Sequence, residues 1–390
     1  MSKVPFNVDA YTAKLIGREN VSKLDGAILE LVKNTYDADA SICFLYYENE
    51  TDTLYIGDNG TGMTEEVILK HWMTIGSSSK KIQYKTQKGR IQTGAKGIGR
   101  FALDRIADRC ELLTVSENEH LRWDVDWTIF EFGQKITDIT ADLEPSKIGF
   151  GDFLADVKNK EVSKIIRNNF TDTGSIFKLT SLRDNWDNSV VESIKSNLRT
   201  LIPPEFKEIF NVYFFESSTS VEDAAVLQDG DDFPYDYKLH FVVESSGKVS
   251  VKIYREEFDF SDKFDEIMTG AGFDYSEREH FKGRPILREM SFSEVIGSKE
   301  VIENTIGEFE GTLYYAKLIA PGVEKEKYFY KDITGRPDIR NTFGGIRIYR
   351  DGFRVRPYGD PKSSSSDWLM LAARKNKSPA AISHELVRGE

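Results

Sequence analysis

The stretch ELVKNTYDADA (residues 30–40) decides how the N-terminal part of this chain is expected to fold. Its polar residues Glu30, Asn34 and Asp37 are spaced i, i+4 and i+7, which places them on one face of a helix. Apolar residues on the neighbouring faces predict an amphipathic helix from about Leu24 to Ala38 that packs on a core. These apolar residues are Leu24, Ile28, Leu31 and Val32.

The polar face of this predicted helix combines a carboxylate with an amide one helical turn later. Such a pair suits a carboxylate, Glu30, that activates water beside an oxygen ligand for Mg²⁺, Asn34. The alternative is an N-terminal helix whose Glu and Asn simply point to solvent. The spacing within this helix does not decide between the two interpretations.

Two predicted strands and a glycine-rich turn follow the helix. The runs ICFLYY (42–47) and TLYIGD (53–58) are typical of strands, and the second leads directly into DNGTGM (58–63). A buried carboxylate at Asp58 could accept a hydrogen bond from an exocyclic amine such as that of adenine. Gly60 and Gly62 would let the backbone approach a flat ligand closely, although a plain β-turn has the same composition.

A second glycine-rich segment, TGAKGIGRFA (93–102), precedes another predicted helix. Gly94, Gly97 and Gly99 would offer free backbone N–H groups at a helix N-terminus, and Lys96 adds a nearby positive charge. This arrangement predicts a phosphate site. The order of elements does not fit the dinucleotide fingerprint, which needs a βαβ unit, and the chain has no Walker A pattern.

The segments around these motifs predict alternating helices, loops and strands. We expect a helix at 64–72, a long polar loop at 76–94, and strands at 111–116, 121–127 and 175–182. The pair Gly174-Ser175 enters the last of these strands. The Ser175 hydroxyl could support the Asp58 carboxylate by a hydrogen bond, although an ordinary strand start explains the pair equally well.

The bulk properties limit the class of protein. At 390 residues the chain is long enough for two domains. It has no run of 18 apolar residues, no secretory signal at its start and only two cysteines, so we expect a cytoplasmic protein. The five His and two Cys show no metal-ligand spacing. The net charge of −12 argues against nucleic acid wrapped over the whole surface but does not exclude a local basic patch.

The second half of the chain is predicted to form a separate α+β domain. A predicted helix (190–202) ends at Pro203-Pro204, where we place the boundary between domains 1–204 and 205–374. Strands are expected at 238–243, 249–254, 311–319 and 344–355, and the last is a hairpin that turns at Asp351-Gly352. Residues 375–390 have a weak pattern, which we interpret as a tail or the start of a C-terminal region.

Four motifs in this order resemble those of the GHKL ATPases. This superfamily includes DNA gyrase B subunits, MutL repair proteins, heat-shock-ninety chaperones, MORC proteins and histidine kinases. The motifs are E-x-x-x-N-x-x-D-A from Glu30, D-x-G-x-G from Asp58, G-x-x-G-x-G from Gly94, and the pair Gly174-Ser175. Each motif is weak alone, but four in register over about 150 residues make a coincidence improbable.

The resemblance implies an α+β protein with two parts. The first is a Bergerat-type ATP-binding α/β sandwich, and the second is a βαβ-type, ribosomal-protein-like transducer domain. Among the members of the superfamily, the chain looks closest to MORC-like or heat-shock-ninety-like bacterial ATPases.

The resemblance also implies roles for individual residues. Glu30 would be the general base and Asn34 the Mg²⁺ ligand, while Asp58 would accept the hydrogen bond of the adenine amine and Met63 would pack against the base. Residues 64–93 resemble the ATP lid. The other implied ATP-binding residues are Asp37, Gly60, Gly62, Gly94, Lys96, Gly97, Gly99 and Ser175, which stands where Thr is commoner.

Glu30 and a basic residue of the second domain would share the catalysis. Histidine kinases usually lack a base at the position of Glu30, so this residue favours hydrolysis over phosphotransfer. In related transducer domains a basic residue, commonly Lys, reaches the γ-phosphate. Segment 331–360 holds a single lysine, Lys331, and the arginines Arg336 and Arg340 are the candidate sensors. The alternative for its arginine-rich hairpin is a solvated face or a patch for an acidic partner.

The expected function is Mg²⁺-dependent ATP hydrolysis that drives lid closure and N-terminal homodimerisation. The chain would be the ATPase module of a larger DNA-associated or defence protein, with a DNA or protein partner bound through a C-terminal region and no membrane role. One alternative is a heat-shock-ninety-like chaperone ATPase. Another is a nucleotide-dependent interaction module with negligible turnover.

Overall fold

A computed structural model gives the fold of the chain as two compact units, residues 1–229 and 230–390. The structure describes residues 8–12, 15, 23–74, 85–92, 99–130, 132–170, 172–203, 209–217, 235–258, 264–270, 275–300, 304–305, 307–316, 344–356, 358–360, 368–370 and 387–389. Within these residues, no helix has the length and apolar character needed to cross a membrane.

The first unit is built on a seven-stranded mixed sheet. Its strands are β1 (Ile42–Glu48), β2 (Thr53–Asp58), β3 (Ala107–Val115), β4 (His120–Asp126), β5 (Asp142–Pro145), β6 (Gly174–Leu182) and β7 (Asn211–Glu216). Its helices are α1 (Leu24–Asp37), α2 (Glu65–Val67), α3 (Phe101–Ile106), α4 (Phe150–Phe153), α5 (Lys160–Asn169) and α6 (Asn188–Arg199). The strand order is β5-β4-β3-β6-β2-β1-β7, and β7 runs parallel to β1 while the other neighbours are antiparallel.

Helix α1 confirms the amphipathic pattern of the opening stretch. It runs from Leu24 to Asp37, and Ala38 is its C-terminal cap. Its apolar face is buried against α3, α6 and β1. Each fully buried Leu, Ile or Val side chain contributes about 1.5–3 kcal/mol to the stability of the fold. Lys23 at the N-terminus makes no side-chain cap, so packing rather than capping stabilises this helix.

Helices cover both faces of the sheet. Along β1, Cys43 points to one face of the sheet, while Phe44 and Tyr46 point to the opposite face. That opposite face packs with α4 and α5 in one apolar cluster around Phe170. The predicted α/β sandwich is therefore confirmed for the first unit.

Two details of the first unit differ from the sequence expectations, and a third was not specified by them. The end of helix α3 was not specified; it lies at Ile106, because Ala107 already pairs with Leu182 in the sheet. The helix expected at 64–72 is α2 continued by a π-helix (Ile68–Trp72). Strand β7 extends the first unit beyond the boundary expected at residue 204, because it pairs with β1 before the chain reaches the second unit.

The second unit is a mixed α+β structure. Its strands are β8 (Tyr237–Val243), β9 (Lys248–Arg255), β10 (Ile286–Ser291), β11 (Phe309–Tyr315), β12 (Gly345–Ile346), β13 (Ile348–Arg350), β14 (Phe353–Val355) and β15 (Val387–Gly389). Its helices are α7 (Phe264–Gly270), α8 (Tyr275–Arg278) and α9 (Phe292–Val295). The order β10-β9-β8-β11-β15-β12 forms one sheet, and β13 and β14 form the predicted hairpin. Asp351 and Gly352 both have positive φ, as its tight turn requires.

We expect Gly57→Ala to destabilise the first unit by about 1–3 kcal/mol, because the added methyl group overpacks the core. A Cβ at Gly57 in β2 would lie 2.4 Å from Cε1 of Phe44 and 2.9 Å from Cγ1 of Ile176. Urea denaturation measures the change. The matched control is Gly151→Ala in α4, where the nearest atom would be 3.6 Å away. Equal stability of the two variants would contradict this packing.

Candidate functional site

The polar face of α1 meets the start of α3 at Gly99. A Cβ added to Gly99 would lie 3.0 Å from Nδ2 and 3.7 Å from Oδ1 of Asn34, and 3.7 Å from Cγ of Glu30. The backbone of Gly99 therefore lies directly against both side chains, which are themselves half-buried. The side chains of a carboxylate and a carboxamide thus meet a glycine backbone in one place, with the amide nitrogen nearer to Gly99 than the amide oxygen.

Asp58 ends β2 with a buried carboxyl group, which is only 4% exposed. Burial raises the pKa of Asp58 to about 7, and the backbone N–H of Gly60, which donates to Oδ1 at 2.8 Å, acts in the opposite direction. Burial is the larger effect because a carboxylate loses more hydration than one hydrogen bond returns. A further hydrogen-bond donor would therefore stabilise the ionised form of Asp58.

The glycines of the turn after Asp58 make room for the protein's own backbone. A Cβ at Gly60 would lie 2.4 Å from the carbonyl oxygen of Ala38, and one at Gly62 would lie 2.1 Å from that of Val115. Gly62 also has a φ of +68°, which favours glycine. The sequence interpretation explained these glycines by close approach to a ligand, whereas packing inside the unit accounts for them directly.

A pair of hydroxyl groups lies beside Asp58. Strand register places Ser175 of β6 between Asp58 of β2 and Thr114 of β3. The two hydroxyl oxygens, Ser175 Oγ and Thr114 Oγ1, are 2.9 Å apart, and the backbone N–H of Met63 donates to Thr114 Oγ1 at 2.7 Å. Ser175 was expected to bond to Asp58; its described partner is Thr114. Thr114 was missed, although strand alternation in ELLTVS places it on the same face as Leu112.

A group of aromatic side chains lies near Ser175, starting with Phe177 on the same strand. Phe177 stacks on Trp72 of the π-helix with ring centroids 5.6 Å apart, and Trp72 meets Trp123 edge to face at 6.0 Å. Arg100, next to Gly99, fixes the end of this π-helix by donating from Nη2 to the carbonyl oxygen of Thr74 at 2.9 Å. Burial lowers the pKa of Arg100 to about 10, so the guanidinium stays charged at neutral pH.

For the other predicted site residues, the structure gives burial or no description at all. Asp37 is buried at the end of α1, and Met63 is half-buried beside Thr114. Of the segment 64–93, residues 64–74 and 85–92 are described. Gly94, Lys96, Gly97, Arg336 and Arg340 lie outside the described residues.

The described residues contain no cluster of three or more His, Cys, Asp and Glu side chains placed to hold a metal ion. That result does not bear on Asn34, because Mg²⁺ at nucleotide sites takes one or two protein oxygens and completes its shell with phosphate and water.

Comparison with known proteins bears on the first unit. Residues 21–155 match the family described as histidine kinase-, DNA gyrase B-, and HSP90-like ATPase. Curated protein sequences gave no match to the chain. The matched region contains Glu30, Asn34, Asp58 and Gly99 and ends before Ser175. The match and the seven-stranded sheet with its helices support membership of this part of the chain in the GHKL ATPase superfamily, and with it ATP binding and ATPase activity in general.

Proposed function

We propose that the first unit binds ATP with Mg²⁺ and hydrolyses it through Glu30. The observation that carries this proposal is the contact of Gly99 with both Glu30 and Asn34. A phosphate chain held by the glycine backbone at the start of α3 would lie beside the carboxylate that activates water. Hydrolysis needs that neighbourhood, whereas nucleotide binding alone does not.

Glu30 and Asn34 would have different roles near the phosphates of ATP. Glu30 would accept a proton from the attacking water, and its position on α1, against Gly99, would keep its carboxylate near a phosphate bound there. Asn34 would hold Mg²⁺ through its amide oxygen, a single neutral protein ligand of the kind that Mg²⁺ takes at nucleotide sites. Mg²⁺ would neutralise charge on the phosphates. Gly99, whose backbone lies against both side chains, would let the main chain approach the phosphates closely.

Asp58 would hold the adenine end. Its buried carboxylate accepts a hydrogen bond from the exocyclic amine, and this donor favours the ionised form that burial alone disfavours. Ser175, the strand neighbour of Asp58, would offer a further polar contact to the base through its hydroxyl, which bonds to that of Thr114. Recognition at this end is therefore by one charged acceptor in a dry environment, where a hydrogen bond is strongest.

We also propose that ATP closes residues 64–93 over the nucleotide and joins two copies of the chain. Support comes from the first part of this segment, where Leu69 and Met73 are apolar side chains that are 53% and 39% exposed. Apolar groups on a surface segment favour a contact made at another stage of the cycle. ATP binding would then shift a two-state equilibrium towards the closed dimer. Arg336 or Arg340 would reach the γ-phosphate and favour its hydrolysis.

The coupled process remains a choice between two proposals. A DNA-associated or defence role of the MORC type is the first, and a chaperone of the heat-shock-ninety type is the second. The matched family description names both DNA gyrase B and HSP90, so it does not choose between them.

We expect Glu30→Ala to bind ATP with nearly unchanged affinity and to hydrolyse it about 10²–10⁴-fold more slowly, because the general base is lost. Phosphate release and equilibrium binding of labelled ATP measure the two effects. Glu192→Ala is the matched control, since Glu192 lies on the exposed surface of α6 with its side chain 60% accessible. Unchanged turnover in Glu30→Ala would exclude the general-base role.

We expect ATP affinity to fall as the pH is lowered from 8 to 6, because Asp58 titrates near pH 7 in the free protein and must be ionised to accept from the amine. A titration series followed by calorimetry measures this trend. Asp58→Asn should abolish binding at every pH while the protein stays folded. Retained micromolar affinity in that variant, or a flat pH profile in the wild type, would contradict the adenine contact.

Duplex DNA is expected to stimulate ATP hydrolysis if the MORC-type proposal is correct, and an unfolded protein is expected to do so if the chaperone proposal is correct. Turnover is measured with each added separately, and bovine albumin in its native state is the control. The net charge of −12 predicts weak DNA binding by this chain. Stimulation must therefore be measured at low ionic strength, and a response to neither addition would remove both proposals.

A further inference from the structure

Residues 85–92, in the last part of the segment proposed to close over the nucleotide, form a small hairpin. Lys85 and Ile91 form an antiparallel bridge, and the backbone N–H of Thr86 donates to the carbonyl oxygen of Arg90 at 2.9 Å. Gly89 turns the chain with a φ of +81° and donates to the carbonyl oxygen of Thr86 at 3.0 Å. The segment has its own backbone hydrogen bonds, so an external contact can move or hold it as one piece.

Asp39 fixes one side of this hairpin. Its carboxylate accepts hydrogen bonds from the Thr86 hydroxyl at 2.5 Å and from the Lys88 backbone N–H at 3.1 Å. Lys88 Nζ donates to the carbonyl oxygen of Asp39 at 2.9 Å. Asp39 has a φ of 60°, a left-handed conformation that Asp tolerates better than most residues, and it follows directly on the end of α1.

Arg90 holds the hairpin to the main chain at three places. Nη1 donates to the carbonyl oxygens of Tyr36 at 3.2 Å and Ala40 at 2.6 Å, and Nη2 donates to that of Ile209 at 3.1 Å. The guanidinium also stacks over the Tyr36 ring, 4.5 Å from its centre, and the side chain is 8% exposed. The last carbonyls of a helix carry partial negative charge, which suits a cation there.

The same short loop reaches the candidate adenine site. Between Tyr36 and Ala40 lies Ala38, whose carbonyl oxygen accepts the N–H of Thr61 at 2.9 Å and faces Gly60. The helix held by Arg90 carries Glu30 and Asn34. A shift of the loop would therefore change the distance between the adenine turn and the catalytic face of α1.

We propose that Arg90 is a positioning residue of the nucleotide site: it anchors the hairpin Lys85–Gln92 to the end of α1 and so keeps Glu30 in register with the Asp58 turn. Lysine cannot replace it, because an ammonium group is a point charge without the planar fork that reaches several carbonyls. The effect on turnover rests on the proposed ATPase function, whereas the anchor does not.

The test compares Arg90→Lys with Arg109→Lys, a matched control at an arginine whose side chain is 68% exposed and pairs with Asp126. Hydrogen exchange of the nucleotide-free protein is measured for a peptide covering residues 85–92. We expect this peptide to exchange about tenfold faster in Arg90→Lys, because the hairpin can then open without breaking the hydrogen bonds of Arg90. Strands β1 and β2 should stay protected. Turnover per bound ATP should fall about tenfold or more, because displacement of reacting groups is costly.

Unchanged exchange in Arg90→Lys would overturn the anchor, and faster exchange with normal turnover per bound ATP would overturn the positioning role. If Arg90→Lys does not fold, Lys88→Met tests the attachment of the same hairpin to the end of α1, because it removes the ammonium group that donates to the carbonyl oxygen of Asp39. Its peptide should also exchange faster, and an unchanged rate would overturn the anchor. A wild-type protein without turnover would count against the proposed ATPase function, and the exchange result would still decide the anchor.

Discussion

The hydrogen bond from the Thr61 N–H to the carbonyl oxygen of Ala38 sets the geometry on which the rest of the candidate site depends. Helix α1 ends at this carbonyl, and the turn that follows β2 begins one residue before Gly60. The contact is close because Gly60 has no side chain to separate the two backbones. One main-chain bond thus fixes a helix that bears Glu30 and Asn34 against a strand that ends in Asp58.

Burial disfavours the ionised form of Asp58, the proposed acceptor for the adenine amine, in the free protein. With its folded pKa raised to about 7, Asp58 binds a proton more readily in the folded than in the unfolded state. Its contribution to stability is therefore fully present below the unfolded pKa and is lost as the pH rises through about 7. A donor bound to the carboxylate reverses that loss, so ligand binding and stability are coupled through one group. Such a trade of stability for binding is common at functional sites.

Local sequence patterns predicted α1, most strands of the first unit and the Asp351-Gly352 turn, because each depends on neighbouring residues only. Features that depend on the pairing of strands far apart in the sequence could not be predicted from local patterns. Thr114 joins the site through the register of β3 with β6, and β7 joins the sheet by pairing with β1. The close packing of Gly60 on Ala38 was also not predictable, since only the folded chain shows which backbone Gly60 must approach.

Side-chain bonds to main-chain carbonyl oxygens recur in the described parts of the site. Arg100 donates to the carbonyl of Thr74, and Arg90 donates to those of Tyr36, Ala40 and Ile209. A carbonyl neither titrates nor changes with the side chain of its residue, so these bonds constrain the path of the backbone itself. Glycine also constrains the path of the backbone where two main-chain segments must come into contact. The glycine-rich motifs and the buried arginines are therefore two means of placing the main chain to within a fraction of an ångström, the precision that catalysis by a positioned carboxylate requires.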